Sequence, residues 1–366
     1  MKTPRDPNQP TLAPRGRGAA TSPRNRFERR DVEPDPDALD QQIAELEDGE
    51  QPSVATQVLR DGTRTILAHN DSPDLGFDTS INPYRGCEHG CAYCYSRPTH
   101  EYLGFSAGLD FETKILVKED APALLRRELE SPRYEPRVIA MSGVTDPYQP
   151  LERRLRITRG CLEVLAEKRN PVVIVTKNRL VARDADLLAE LARHGAAHVM
   201  VSVTTLDDEL ARRMEPRTSS PRNRLAAISE LRAAGVPCGV LAAPVIPALN
   251  DHEIPHILEA AKEAGAVNAS WVLLRLPHGV KELFDEWLAR HYPERRDKVL
   301  GRLRETRDGA LYRSEFFRRQ RGSGAYAEQI AALFELHRKR LGLGKRSDGL
   351  SVAAFRRGAG EQLSLL

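Results

Sequence analysis

The stretch "DTSINPYRGCEHGCAYCY", residues 78–95, decides how the rest of the chain is read. Its first half is short, partly β-branched and punctuated by Asn-Pro and Gly, which predicts a strand ending in a sharp turn. Its second half sets Cys87, Cys91 and Cys94 at the spacing CxxxCxxC, with Tyr93 directly before the third cysteine. Three thiolates on one tight loop can each bind a different iron of a [4Fe-4S] cluster, leaving the fourth iron open to a small chelating molecule. A structural zinc site needs a fourth ligand, for which His89 and His100 are the nearby candidates. No second CxxC or HxxxH pair follows at zinc-finger spacing. The total of five cysteines is odd, which suits one metal site plus two unrelated thiols better than a disulfide framework.

Outward from this loop, short apolar runs alternate with helical patterns across residues 78–277, the signature of repeated βα units and a parallel sheet. The expected strands are "DTSINPYRG", "RVIAMSGV", "PVVIVTKN", "AHVMVSVTTL", "VPCGVLAAPVI" and "NASWVLLRL". Helical patterns lie between them at 121–129, 158–168, 184–194, 220–234 and 252–264. Asp184 and Ser220 are placed as N-caps, and Gly195, Gly235 and Gly265 as C-caps. Six such units predict an α/β fold, a partial (β/α)6 barrel, whose working groups gather at the carboxyl ends of the strands. "FETKILVKED" at 111–120 reads as an extra strand or hairpin element inserted into the first unit.

The two ends differ from this core. Residues 1–50 are rich in Pro, Arg, Asp and Glu, basic as far as Arg30 and acidic from Asp31, and predict a disordered charged tail followed by a lead-in segment at 51–77. Residues 278–345 predict a basic, mostly helical C-terminal extension with interleaved aromatic residues, and 346–366 a flexible tail. The net charge of +3 is small for 366 residues, so its distribution says more than its sum. No stretch approaches the roughly 18 to 20 apolar residues of a membrane span, and the N-terminus lacks a secretory h-region. The expectation is a cytoplasmic protein with reduced thiols and no membrane partner.

Placed after the first strand of a six-unit α/β chain, the CxxxCx-aromatic-C loop resembles the radical S-adenosylmethionine (SAM) superfamily over roughly residues 78–277. The resemblance implies that Cys87, Cys91 and Cys94 ligate a [4Fe-4S] cluster and that the open iron chelates SAM, with Tyr93 near its adenine. It further implies reductive cleavage of SAM to a 5′-deoxyadenosyl radical that abstracts hydrogen from a substrate, with flavodoxin or ferredoxin as the kind of electron donor. Gly143, Thr145 and Asp146 in "SGVTDP" stand where the superfamily carries a Gly-Gly-Glu-like segment that meets the cofactor's amino group. Lys177 at the third strand end is matched to the cofactor carboxylate, and Ser202 to its ribose or carboxylate. Arg217 is expected beside Glu215 as a polar pair in the same region, and Ile246 against the adenine, with Asp251 capping the next helix.

"NPYRGCEHGCAYCY" and "TDPYQP" resemble spore photoproduct lyase-like proteins and their bacterial relatives. True photoproduct lyases use a cysteine near the end of the second strand as hydrogen donor, whereas this chain has "AMSGVTD" there, and Cys161 and Cys238 read as packed. Three functions remain open: radical chemistry on a nucleic acid, DNA or RNA; radical chemistry on a peptide or small metabolite; and a non-catalytic iron-sulfur regulator that binds nucleic acid. The basic, aromatic-bearing extension favours the first. The polar set Asp146, Lys177, Ser202 and Arg217 exceeds what the regulator needs, and the lack of a second cysteine cluster disfavours a peptide substrate.

Overall fold

The structure is a computed structural model that describes residues 14–28, 54–345 and 349–358. Among the described residues ten strands are formed: β1 (Gln57–Arg60), β2 (Leu67–His69), β3 (Thr79–Ile81), β4 (Tyr84–Arg85), β5 (Lys114–Val117), β6 (Ile139–Met141), β7 (Val172–Thr176), β8 (Ala197–Ser202), β9 (Cys238–Val245) and β10 (Asn268–Leu273). Seven of them make one sheet in the order β10-β9-β8-β7-β6-β3-β2. The six from β3 to β10 are parallel and are the six that the sequence pattern predicts, while β2 adds an antiparallel edge. Many of their apolar side chains, such as Ile174, Val199, Val201 and Val240, are wholly buried because helices cover the sheet's outer face.

The expected first strand splits. Pro83 has no N–H to give a ladder, so the chain breaks there into β3 in the main sheet and β4 in a second sheet of order β1-β5-β4. The "KILV" strand β5 therefore lies beside the barrel and does not extend it; it pairs with β1 in parallel and with β4 antiparallel.

Helices Ala121–Glu130, Ile157–Lys168, Ala185–Ala192, Pro221–Ala233 and Ile254–Glu263 begin and end within a few residues of the periodic patterns. Ser220 caps its helix by accepting from the Asn223 N–H, and Gly195, Gly235 and Gly265 take positive φ at the C-termini. Asp184 sits at the N-cap position, but its carboxylate is taken by Arg159 and Arg183 and makes no cap bond. Asp251 caps no long helix either: it accepts from the Ala248 N–H and from the Tyr326 hydroxyl, which ties the helix Ala325–Arg340 to the barrel. No helix among the described residues is long and apolar enough to cross a membrane.

The extension is helical over Val280–His291, Pro293–Glu305 and Ala325–Arg340, and its loop 306–324 joins the two edges of the sheet. Asp74, between β2 and β3, accepts from Arg319 Nε at 2.7 Å and from the Phe317 N–H at 3.1 Å, while Gln320 donates to the Asp74 carbonyl. The same loop packs on the other edge, where a Cβ on Gly322 would lie 2.8 Å from Leu273. Asp74→Asn should loosen this closure by about 1 kcal/mol, read as roughly fivefold faster amide exchange over residues 316–322. Unchanged exchange there would show that packing alone holds the loop.

Parts of the expected tails are ordered. Residues 14–28 lie against the cysteine loop, anchored by hydrogen bonds more than by apolar area, which is why composition does not reveal them. Residues 349–358 cross the helical face: Arg357 donates to the Ser131 and Tyr134 carbonyls, and Phe355 meets Tyr134. The remainder of both expected tails lies outside the described residues.

Candidate cluster and cofactor site

The cysteine loop leaves β4 through Gly86, at φ +82, where a Cβ would meet His100 and the Phe111 carbonyl at 2.9 Å, so only glycine fits. The Cys87 N–H donates to the Phe111 carbonyl, the Ala92 N–H to that of Met214, and the Cys94 N–H to that of Cys91. Arg97, fully buried, donates to the Cys91 carbonyl from Nε at 3.1 Å and from Nη2 at 2.8 Å. It also pairs with the fully buried Glu112. Gln149 fastens the other end of the loop, accepting from the Glu88 N–H and donating to the Gly86 carbonyl. Gln149 stands in the "TDPYQP" segment, whereas Arg97 and Glu112 belong to no motif, and only the oddity of polar residues inside apolar surroundings could have singled them out.

Burial raises the thiol pKa values of Cys91 and Cys94, and the thiols' nearness to one another adds to this. The thiolates of Cys91 and Cys94 therefore call for compensating positive charge, which a bound iron-sulfur cluster would provide. Among the described residues, no three of His, Cys, Asp and Glu converge where a single ion would sit. His89 is committed elsewhere: Nδ1 faces Asp146 at 3.4 Å and Nε2 faces Asn178 at 3.2 Å. Burial opposes its charged form, but Asp146 and Cys87 outweigh burial and raise the ring to about 10. His100 is held by the Lys114 carbonyl and lies near Phe105 and Phe111; burial lowers it to about 4.

Four successive strand ends meet this loop. After β6, Asp146 accepts from the Thr176 hydroxyl (2.7 Å), the Lys177 N–H (2.8 Å) and the Tyr148 N–H (2.9 Å). Just past β7, Lys177 Nζ donates to Ser202 Oγ at the end of β8 (2.5 Å) and to the Ala243 carbonyl in β9 (3.0 Å), and lies 5.9 Å from the centre of the Tyr93 ring. Gly143 has open space on its Cα, and its carbonyl accepts from the Tyr95 hydroxyl at 2.6 Å. The Thr145 hydroxyl donates to the Tyr84 carbonyl, joining β6 to β4. Ile246 is wholly buried in the apolar cluster that contains Cys91 and Tyr93.

The expected Glu215–Arg217 pair does not form. Arg217 turns to Glu88 on the cysteine loop at 3.1 Å. Glu215, fully buried, accepts from Arg224, Tyr93 and Thr204, and lies 3.6 Å from Lys177. Helix Pro221–Ala233 decides this by carrying Arg224 back beneath the end of β8, where it also donates to the Ser202 carbonyl. Burial alone would raise the Glu215 carboxyl, but Arg224, then Lys177, outweigh it and hold the pKa down at about 2.

Residues 81–261 match the Radical SAM superfamily model, and the chain belongs to that superfamily. It is 41% identical over 233 residues to an uncharacterized protein of Mycobacterium tuberculosis, covering 63% of this chain and 67% of that one. The radical SAM Nalpha-GlyT isomerase of Pseudomonas phage M6 is 26% identical over 50% of this chain and 36% of its own length. Spore photoproduct lyase complexed with dinucleoside spore photoproduct has the same fold, with TM-score 0.55 at 16% identity over 78% of this chain and 80% of that one.

Proposed function

We propose that this protein cleaves SAM reductively and uses the resulting radical on a nucleic acid. The carrying observation is the junction of the three-thiol loop with the ends of β6 to β9 through Tyr93, Asp146, Lys177 and Ser202. Cys87, Cys91 and Cys94 would hold the [4Fe-4S] cluster. A cluster held there would supply the single electron needed to divide SAM into methionine and a 5′-deoxyadenosyl radical. Lys177 brings a partly exposed cation to the strand ends for the cofactor carboxylate, with Ser202 and Arg217 as further polar partners. The Gly143 carbonyl, which already accepts from the Tyr95 hydroxyl, would offer its second lone pair to the amino group, while Tyr93 and Ile246 would form the apolar side for adenine. Thr145 and Asp146 act as positioning residues, since their side chains are spent on Tyr84, Thr176 and the Lys177 N–H.

A nucleic-acid substrate is supported by arginines and exposed aromatic rings at the carboxyl ends of the strands, where Arg275 lies over Tyr95 at 4.8 Å. The dinucleoside in the lyase complex accords with it. Photoproduct repair by a thiol donor does not: no cysteine stands in β6 or its loop, and Cys161 and Cys238 are fully buried with thiol pKa values raised by burial. A small electron carrier such as flavodoxin or ferredoxin would reduce the cluster.

The test is anaerobic reconstitution with iron and sulfide, addition of SAM and a strong reductant, and assay of 5′-deoxyadenosine with and without oligonucleotide. Wild type should form it and Cys91→Ala should not. A protein that takes up zinc but no cluster, or a loaded cluster that gives no 5′-deoxyadenosine under either condition, would overturn the proposal.

A further inference from the structure

Arg275 lies two residues beyond β10, at the mouth of the barrel. Its guanidinium makes no hydrogen bond and meets no carboxylate among the described residues, and its Nε is buried without a partner. Close by, Arg307 is 1% exposed and donates Nη2 to the Leu274 carbonyl and Nη1 to the Arg318 carbonyl; its Nε is likewise unpartnered. Burial and then the charge of Arg275 lower the Arg307 pKa to about 10. The acids of this region are already used, Asp74 by Arg319, and Asp308 and Glu315 by Arg318. Two neighbouring guanidinium groups without a counter-charge are unfavourable by themselves and become favourable around an anion.

The surroundings specify which anion. The Arg275 guanidinium lies 4.8 Å from the ring centre of Tyr95, the residue after Cys94, whose hydroxyl donates to the Gly143 carbonyl. On loop 306–324, Phe316 and Phe317 are 48% and 62% exposed, and Arg319 lies 4.8 Å from the Phe316 ring centre. A fork of N–H donors matches a phosphate, and adjacent aromatic and guanidinium faces match unstacked bases. A carboxylate ligand would leave those faces without a role.

We infer that Arg275, backed by Arg307, is the receptor for a substrate phosphodiester, and that Tyr95, Phe316 and Phe317 provide stacking faces for bases extruded from a nucleic-acid strand. This rests on the nucleic-acid substrate proposed above but not on cluster chemistry, because binding needs neither SAM nor reductant. The two can therefore fail separately.

The test uses the full reconstituted chain and a fluorescein-labelled oligothymidylate twelve nucleotides long, with fluorescence anisotropy followed across a salt series. Arg275→Gln should not lower the melting temperature, since no hydrogen bond is lost and a like charge beside Arg307 is removed, and should weaken binding about tenfold at low salt. The slope of log affinity against log salt should shrink by about 0.7, the value for one phosphate on a single strand. Arg275→Lys should keep the slope, and Phe317→Ala should weaken binding about fivefold without changing it. Unchanged affinity and slope in Arg275→Gln would overturn the assignment, as would a wild-type chain that binds an acidic peptide of equal charge as tightly as the oligonucleotide.

Discussion

Glu215→Ala should destabilise the protein by about 3–5 kcal/mol, the cost of leaving a buried charge without its partner. The carboxylate is fully buried and balances Arg224, which is 1% exposed, and Lys177, whose side chain is 16% exposed. Alanine leaves the Arg224 guanidinium inside the protein with only the Ser219 and Ser202 carbonyls and the Thr218 hydroxyl for company. It also frees Tyr93, which is held to Glu215 directly beside the third cysteine. Urea denaturation should show a lower midpoint with an unchanged slope; equal midpoints for variant and wild type would show that Arg224 finds other compensation.

The same carboxyl has a pH signature. Its ordinary value is 4.5 and its folded value about 2, so its contribution is complete above about pH 4.5 and is lost as pH falls towards 2. Glu215→Gln cannot titrate there. The stability gap between wild type and Glu215→Gln should therefore narrow through that window, which stability measurements at several acidic pH values would check.

Gly18→Val should unseat the N-terminal strap, at a cost of about 3 kcal/mol. A Cβ at Gly18 would lie 1.7 Å from the Gly90 carbonyl oxygen, a backbone atom of the cysteine loop that cannot swing aside. With the strap displaced, the Gly18 and Ala19 N–H groups leave the Glu112 carboxylate, and Arg17 leaves the Glu112 carbonyl and the Thr56 hydroxyl. Hydrogen bonds to a buried charged acceptor are worth about 1.5–3 kcal/mol each, offset in part by regained chain entropy. Trypsin should spare Arg17 in wild type, where it is buried, and cut there in the variant. Equal protection in both proteins would show that the strap does not depend on this contact.

The strap marks where composition stops being informative. Residues 15–26, "RGRGAATSPRNR", have the make-up of a disordered segment, yet Arg17, Gly18 and Asn25 are bound to a carboxylate and carbonyls more than 70 positions away in sequence. The strand ends show the opposite. Short apolar, β-branched runs ending in polar residues put Lys177 and Ser202 at the mouth, and the two side chains do meet. The Glu215–Arg217 pairing does not form because a residue's distance along the chain from Glu215 says nothing about which cation a helix will carry back to it.

Local patterning thus sufficed for the cysteine loop, the six parallel strands and the helix stops at Gly195, Gly235 and Gly265, because spacing, alternation and backbone conformation are properties of neighbours in sequence. The partners of the buried charges were settled only by tertiary packing: Glu215 with Arg224, Glu112 with Arg97 and the strap, Asp74 with Arg319, and Arg275 with none. A charge inside a protein must be matched by whichever group the fold brings near, and that group lies anywhere along the chain.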